Sequence, residues 1–194
     1  MEDGILGQAA RALHRLESLG AIIEPMRLPY PVEKLWQTWL VLRQGLQGGA
    51  LSVHYNNPAR RPLLKPEAVW EIESAMSASA VDFYQASVAR TEFFHAMRTA
   101  FDGVDLFALP TAQVFPFDVG THWPAQIAGR QMDTYHRWME VVLPATVAGL
   151  PAISVPVPMS ADERAAGRIS GLQLIGPPRA DAAVLAAAIA YDEA

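Results

Sequence analysis

Two stretches decide the fold: Thr146-Val-Ala-Gly-Leu-Pro-Ala-Ile-Ser-Val-Pro156 and Gly171-Leu-Gln-Leu-Ile-Gly176. In the first, Gly149 follows a run of helix-compatible residues and precedes Leu-Pro, the position of a left-handed helix cap. Pro151 lacks a backbone donor and blocks any continuation of that helix. Ala152 to Val157 is then almost wholly apolar, which reads as a strand covered on both faces. In the second stretch, Gly171 and Gly176 bracket another apolar strand, and their small size permits close backbone approach. Helix, apolar strand, polar turn (159–168), apolar strand (169–175) and a closing Ala-rich helix (181–192) give an α/β chain. The expected architecture is a partial mixed sheet flanked by helices.

Working toward the amino terminus, residues 132 to about 147 read as helix and 110–131 as loop, with Phe115-Pro116-Phe117 and Trp123-Pro124 as its rigid points. Val104 to Leu109 reads as a strand cut by Pro110. Pro66 and Glu67 open a long helix to about Phe101, proline being preorganised for the first helical position. Its apolar series runs Val69, Ile72, Met76, Ala80, Phe83, then Phe94, Met97 and Phe101. Residues 48–65, with Gly48-Gly49 and Asn56-Asn57-Pro58, are expected to form a long loop, a candidate for partial disorder. A helix is expected over 32–47, and Pro25 makes 21–28 a bent or edge strand. The first helix spans 5–19, with Leu6, Ala9, Leu13 and Leu16 on one face.

Composition excludes several functions. The chain has 194 residues, 51% hydrophobic and 18% charged, with net charge −5 and no cysteine. Lysine and arginine are thinly spread, so no basic footprint for nucleic acid is present. Disulfides, thiolate metal sites and a cysteine nucleophile are ruled out. No apolar run is long enough for a membrane span, and the first residues carry no basic, apolar leader pattern, so a cytoplasmic protein is expected. His122 and His136, with Asp118 and Asp133, match no tight metal-ligand spacing. No metal or cofactor is expected.

The carboxy-terminal two blocks, together with Val104-Asp-Leu-Phe-Ala-Leu-Pro-Thr111 and the closing helix Asp181 to Tyr191, resemble the amidase-signature family in order and spacing. The resemblance is strong from about residue 102 onward and implies the carboxy-terminal part of that fold, with residues 1–194 forming a single segment. It also implies a Ser–Ser–Lys mechanism. An unprotonated lysine draws a proton through a bridging serine, the nucleophilic serine attacks the amide carbon, and backbone amides hold the oxyanion.

Those residues are not legible here. None of the nine serines is adjacent to another, none lies in a Gly-Ser-Ser-Gly-like loop, and Lys34 and Lys65 are the two lysines. No catalytic residue is therefore transferred, and the catalytic amino-terminal region is expected to lie outside this chain.

What the resemblance leaves is the wall of an acyl cavity. The candidate substrate-binding residues are Pro110, Thr111, Trp123, Tyr135, Trp138, Met139 and Thr146. The aromatics suit an apolar or aryl acyl group. The family often has Asn where Thr146 stands. Glutamine-using relatives carry an acidic residue where Met139 stands, which favours a general amidase. The expected partners are a small-molecule amide in the full-length protein and either the missing amino-terminal half or a second copy. A stand-alone, non-enzymatic binding remnant is the alternative.

Overall fold

The computed structural model describes residues 1–193. The chain divides into two compact units, Met1–Arg27 with Arg98–Ala194, and Leu28–Met97.

The first unit is a three-stranded sheet with helices against one face. Its strands are β1 (Phe107–Pro110), β4 (Ala152–Pro156) and β5 (Gly171–Ile175), in the order β1-β5-β4. Both pairings are antiparallel, with Leu109 and Ser154 flanking Gln173 across the sheet. Where the sequence suggested a mixed sheet, the strands in the described residues run antiparallel. β5 is central and buried, whereas β1 and β4 are edges. Pro110 ends an edge strand, where its missing donor costs no ladder bond. β4 alternates in burial, with Ala152, Ser154 and Pro156 exposed or part-exposed and Val155 buried. The expected cover on both faces is therefore absent from this strand.

The helices α1 (Ile5–Ser18) and α7 (Asp181–Asp192) cover the face presenting Val155, Leu172 and Leu174. Ala9, Ala12, Ala188 and Tyr191 complete that core. Full burial of each large side chain here contributes roughly 1.5–3 kcal/mol. Small residues on both helices bring them close to the sheet. The buried stripe of α1 is Ile5, Gln8, Ala9 and Ala12, while Leu6 is 61% exposed. Ala9, Leu13 and Leu16 hold the expected face against this core, whereas Leu6 turns to solvent and Ile5 and Gln8 are buried in its stead. Gln8 is fully buried, and its Nε2 donates to the Arg168 carbonyl at 2.7 Å. Gly149 takes φ 65°, ψ 44° and caps α5 (Leu143–Ala148) as its position foretold. The turn at 159–168 contains a short helix, α6 (Ala161–Ala165), closed by a Ser160–Glu163 capping box.

The second unit is helical. It holds α2 (Val32–Tyr55), α3 (Pro66–Ser77) and most of α4 (Ala80–Ala100). Two expectations fail here. The loop expected from Gly48 is helix as far as Tyr55, because Gly48 packs directly against α3: a Cβ there would lie 2.4 Å from the Ala75 Cβ. The long helix expected from Pro66 is two helices. Ala78 is extended, and Ser79 then caps α4, with the Asp82 amide donating to Ser79 Oγ and the Ser79 amide donating to Asp82 Oδ2. A capping pair inside an apolar periodic run restarts the helix without disturbing the pattern. The segment 21–28 is not a strand; it forms no ladder among the described residues.

Candidate functional site

The site begins where β1 ends. The Thr111 amide donates to the Gly171 carbonyl at 2.8 Å, extending the ladder one residue past Pro110. Thr111 Oγ1 lies 2.9 Å from Ser154 Oγ. Gly171 sits beneath this pair, where a Cβ would come within 2.7 Å of Ser154 Oγ and 2.9 Å of Thr111 Oγ1.

Two buried glutamines tie this sheet end to the segment that follows. Gln173 Nε2 donates to the Pro110 carbonyl at 3.0 Å and to the Val141 carbonyl at 3.3 Å. Gln113 Oε1 accepts from the Val141 amide at 3.0 Å. Val141 belongs to a 3-10 helix, Arg137–Val142, that replaces the middle of the helix expected over 132–147, whose end is present as α5. Its backbone bonds to side chains of the sheet and loop rather than continuing an α-helical ladder.

Glu140 lies in the same segment, 9% exposed. Arg130 Nη1 donates to it at 2.9 Å and Arg137 Nη1 at 3.3 Å. Arg130 stands on a two-stranded hairpin, β2 (Gln126–Ile127) and β3 (Arg130–Gln131), within the expected loop. Its turn is made by Ala128 and Gly129, both with positive φ. The hairpin is thus fastened to the 3-10 helix by charge-assisted bonds.

The seven candidate residues are partly brought together. Trp123 and Trp138 pack against a small core of Val114, Ile127 and Met132. Phe117 meets Trp138 edge to face, with centroids 5.4 Å apart. The Trp138 Nε1 donor is buried with no acceptor within hydrogen-bond reach among the described residues. Tyr135 instead neighbours His136 and His122, at centroid distances of 5.0 and 6.4 Å. Met139 is half-buried in the 3-10 helix. Thr146 is exposed, and its hydroxyl donates to the Val142 carbonyl one turn back. Beside the Trp123–Trp138 cluster lies a groove of about 360 Å3, lined by Phe115, Pro116, Phe117, Pro124, Ile127 and the Glu2 carboxylate. Glu2 is held there by the Phe115 amide at 2.9 Å.

Sequence reading missed Gln113, Gln173, Ser154, Arg130 and Arg137. Gln173 was detectable in principle, as the one polar residue inside an apolar central strand. The others carry no local signal, since their partners are distant along the chain.

Both lysines belong to the helical unit. Lys34, in the helical unit, donates to Glu92 Oε2 at 2.7 Å, and that bond holds its ammonium above the usual lysine range. Lys65 is exposed at the start of α3. No group of three or more His, Cys, Asp or Glu is placed to hold a metal among the described residues. No helix among them is long and apolar enough to cross a membrane.

A family model described as Amidase matches residues 1–185. A glutamyl-tRNA(Gln) amidotransferase component of Moorella thermoacetica is 31% identical over 214 aligned positions, covering 100% of this chain and 42% of that protein. A fatty acid amide hydrolase of Medicago truncatula is 33% identical over 119 positions, covering 60% of this chain and 18% of that one. A bacterial aryl acylamidase of the amidase-signature enzymes superimposes with TM-score 0.83 at 22% identity, over 100% of this chain and 40% of its own. This last likeness concerns fold alone. The chain spans about two fifths of the length of the first of these relatives.

Proposed function

The chain belongs to the amidase family, and from that premise we propose that it supplies the scaffold and one pocket wall of a hydrolase acting on carboxylic amides. In this reading residues 1–194 are a single carboxy-terminal segment. The Ser–Ser–Lys machinery belongs to polypeptide outside it, and the isolated chain is inactive. One observation carries the proposal. A lysine that acts as a base must be desolvated or set beside positive charge so that it loses its proton near neutral pH. Lys34 is in the opposite environment, with Glu92 holding the proton on, and Lys65 lies in open solvent.

The wall is assigned to the end of β1 and the segment after it, with Pro110, Thr111, Trp123 and Trp138 as its main residues. Tyr135, Met139 and Thr146 stand at its margin. An apolar or aryl acyl group is favoured over glutamine. Met139 offers no charge to an ammonium group, and the neighbouring Glu140 carboxylate is already engaged by Arg130 and Arg137. The absence of cysteine fits a reducing cytoplasmic setting.

The test is turnover of simple aryl amides by the purified chain, with a serine-directed fluorophosphonate as a second probe. The expected result is a rate equal to the uncatalysed one and no labelled serine. Hydrolysis abolished by replacing one serine or either lysine would overturn the proposal.

A second reading, a non-enzymatic binding remnant, is supported by the two sheet edges. β1 and β4 each present one side without a ladder partner in the described residues, and open edges favour pairing with another chain. Either the remaining part of an amidase or a second copy would satisfy them. Sedimentation of the purified chain distinguishes a self-associating remnant from a monomer.

A further inference from the structure

We propose that Thr111 and Ser154 form a hydroxyl clasp that binds the carbonyl oxygen of an uncharged carboxamide, with Gly171 kept side-chain-free to make room for it. The proposal rests on the pocket-wall reading above and assigns the wall its polar contact.

The argument is one of donors and acceptors. The two hydroxyls lie 2.9 Å apart, and each carries one O–H. One O–H is used between them. The other has no acceptor among the described residues. Ser154 is exposed on an edge strand, and its cross-strand neighbour Gln173 directs its amide NH2 to the Pro110 and Val141 carbonyls. A hydroxyl pair in that position is not needed for the fold, since the Thr111 amide already holds β1 to β5 through the Gly171 carbonyl. Its natural complement is an external acceptor. If one hydroxyl donates to a ligand carbonyl while accepting from the other, the chain of bonds reinforces itself.

Charge favours a neutral ligand. Neither hydroxyl is bonded to a lysine or arginine in the described residues, so a carboxylate would meet no counter-charge. Gly171 adds a second, independent observation. Its place beneath the pair tolerates no Cβ, because both hydroxyl oxygens would fall well inside normal contact distance. Its φ is not in the left-handed region, so conformational freedom does not explain the glycine there. Space for the clasp does. Gln173, whose amide bridges the Pro110 and Val141 carbonyls, fixes the strand end from which Thr111 projects.

The experiment uses the purified chain and follows its backbone amides by 1H–15N spectroscopy during titration with benzamide, benzoate and ethylbenzene. Benzamide is expected to bind at millimolar concentration and to shift Thr111, Ser154 and Gly171. Ser154→Ala and Thr111→Val should each weaken it at least fivefold, and Gly171→Ala should abolish it, with thermal melting as the control for folding. Ser154→Ala, at an edge-strand position, keeps the test valid if the other variants fold poorly. Benzoate should bind more weakly, and ethylbenzene should leave the three amides unmoved. Benzamide shifts confined to the Phe115–Phe117 groove and unaltered by Ser154→Ala would overturn the clasp while leaving the wall reading intact. Absence of benzamide binding would also overturn the clasp. Failure of the wall reading is recognised separately, by turnover in the isolated chain.

Discussion

Two adjacent glycines in α2 should respond in opposite directions to the same substitution. In a helix interior, Gly→Ala contributes about 1 kcal/mol from backbone entropy alone. A Cβ on Gly49 meets nothing within 4 Å, so Gly49→Ala should gain that full amount. On an unfolding transition of this size, that raises Tm by about 2–4 °C. A Cβ on Gly48 would lie 2.4 Å from Ala75 Cβ and 3.3 Å from the Glu71 carbonyl oxygen. Carbon atoms rest at about 3.5–4.0 Å, so α2 and α3 must separate by about 1 Å or more. Overpacking of this kind costs roughly 1–3 kcal/mol. The helix-propensity gain is common to both variants, so the difference between them isolates the packing cost and should be about 1–3 kcal/mol. Urea denaturation followed by far-ultraviolet circular dichroism measures it. Equal midpoints for the two variants would refute the close apposition of α2 and α3 at Gly48. A Gly49→Ala variant no more stable than the parent would refute the helix through Tyr55.

Other substitutions test other joints. Tyr191 is 1% exposed, and its hydroxyl donates to the Pro156 carbonyl at 2.8 Å. Tyr191→Phe should cost about 1 kcal/mol for that bond, and Tyr191→Ala about 3–5 kcal/mol for the lost ring, both read by denaturant melts. Ser79→Ala removes the cap that restarts the helix at α4 and should cost about 1 kcal/mol, visible as faster amide exchange at residues 80–83. Glu163 is held down to a pKa of about 2 by the Ser160 amide and the Arg11 guanidinium. A depressed carboxylate stabilises the fold above its ordinary value of 4.5, and that contribution fades as pH falls toward 2. The parent should therefore lose stability across that window, and Glu163→Gln should flatten that part of an acid-unfolding profile. An unchanged profile would contradict the assignment.

The elements legible from sequence were those whose information is local. Gly149 before Leu-Pro announced its cap, and the apolar runs around Ile153 and Leu174 announced their strands. The Ala-rich closing helix was equally plain. What escaped was encoded by distant partners. Gly48-Gly49 reads as a breaker until Ala75 is seen pressing on it. Ser79-Ala-Val-Asp82 reads as helix interior because its apolar neighbours keep the period. Leu6 reads as core, yet it faces solvent while Ile5 and Gln8 are buried, and only Ala9, Leu13 and Leu16 keep to the expected face. In the candidate site, Thr111, Trp123 and Trp138 could be named in advance because of their residue type and their place after a strand. Ser154 looked like one polar interruption in an apolar strand, and its meaning came only from Thr111, 43 positions away.

The attachment of residues 111–141 at both ends has a consequence for how this protein can diversify. Gln113 and Gln173 grip Val141 and the Pro110 carbonyl, so the sheet does not depend on the spelling of what hangs between them. Length and side chains across Asp118 to Thr121, outside the Trp123–Trp138 core and the Arg130–Glu140 fastening, are free to drift while the anchoring glutamines stay put. New ligand preferences would arise there as exchanges of an interchangeable insert, with no rebuilding of the frame.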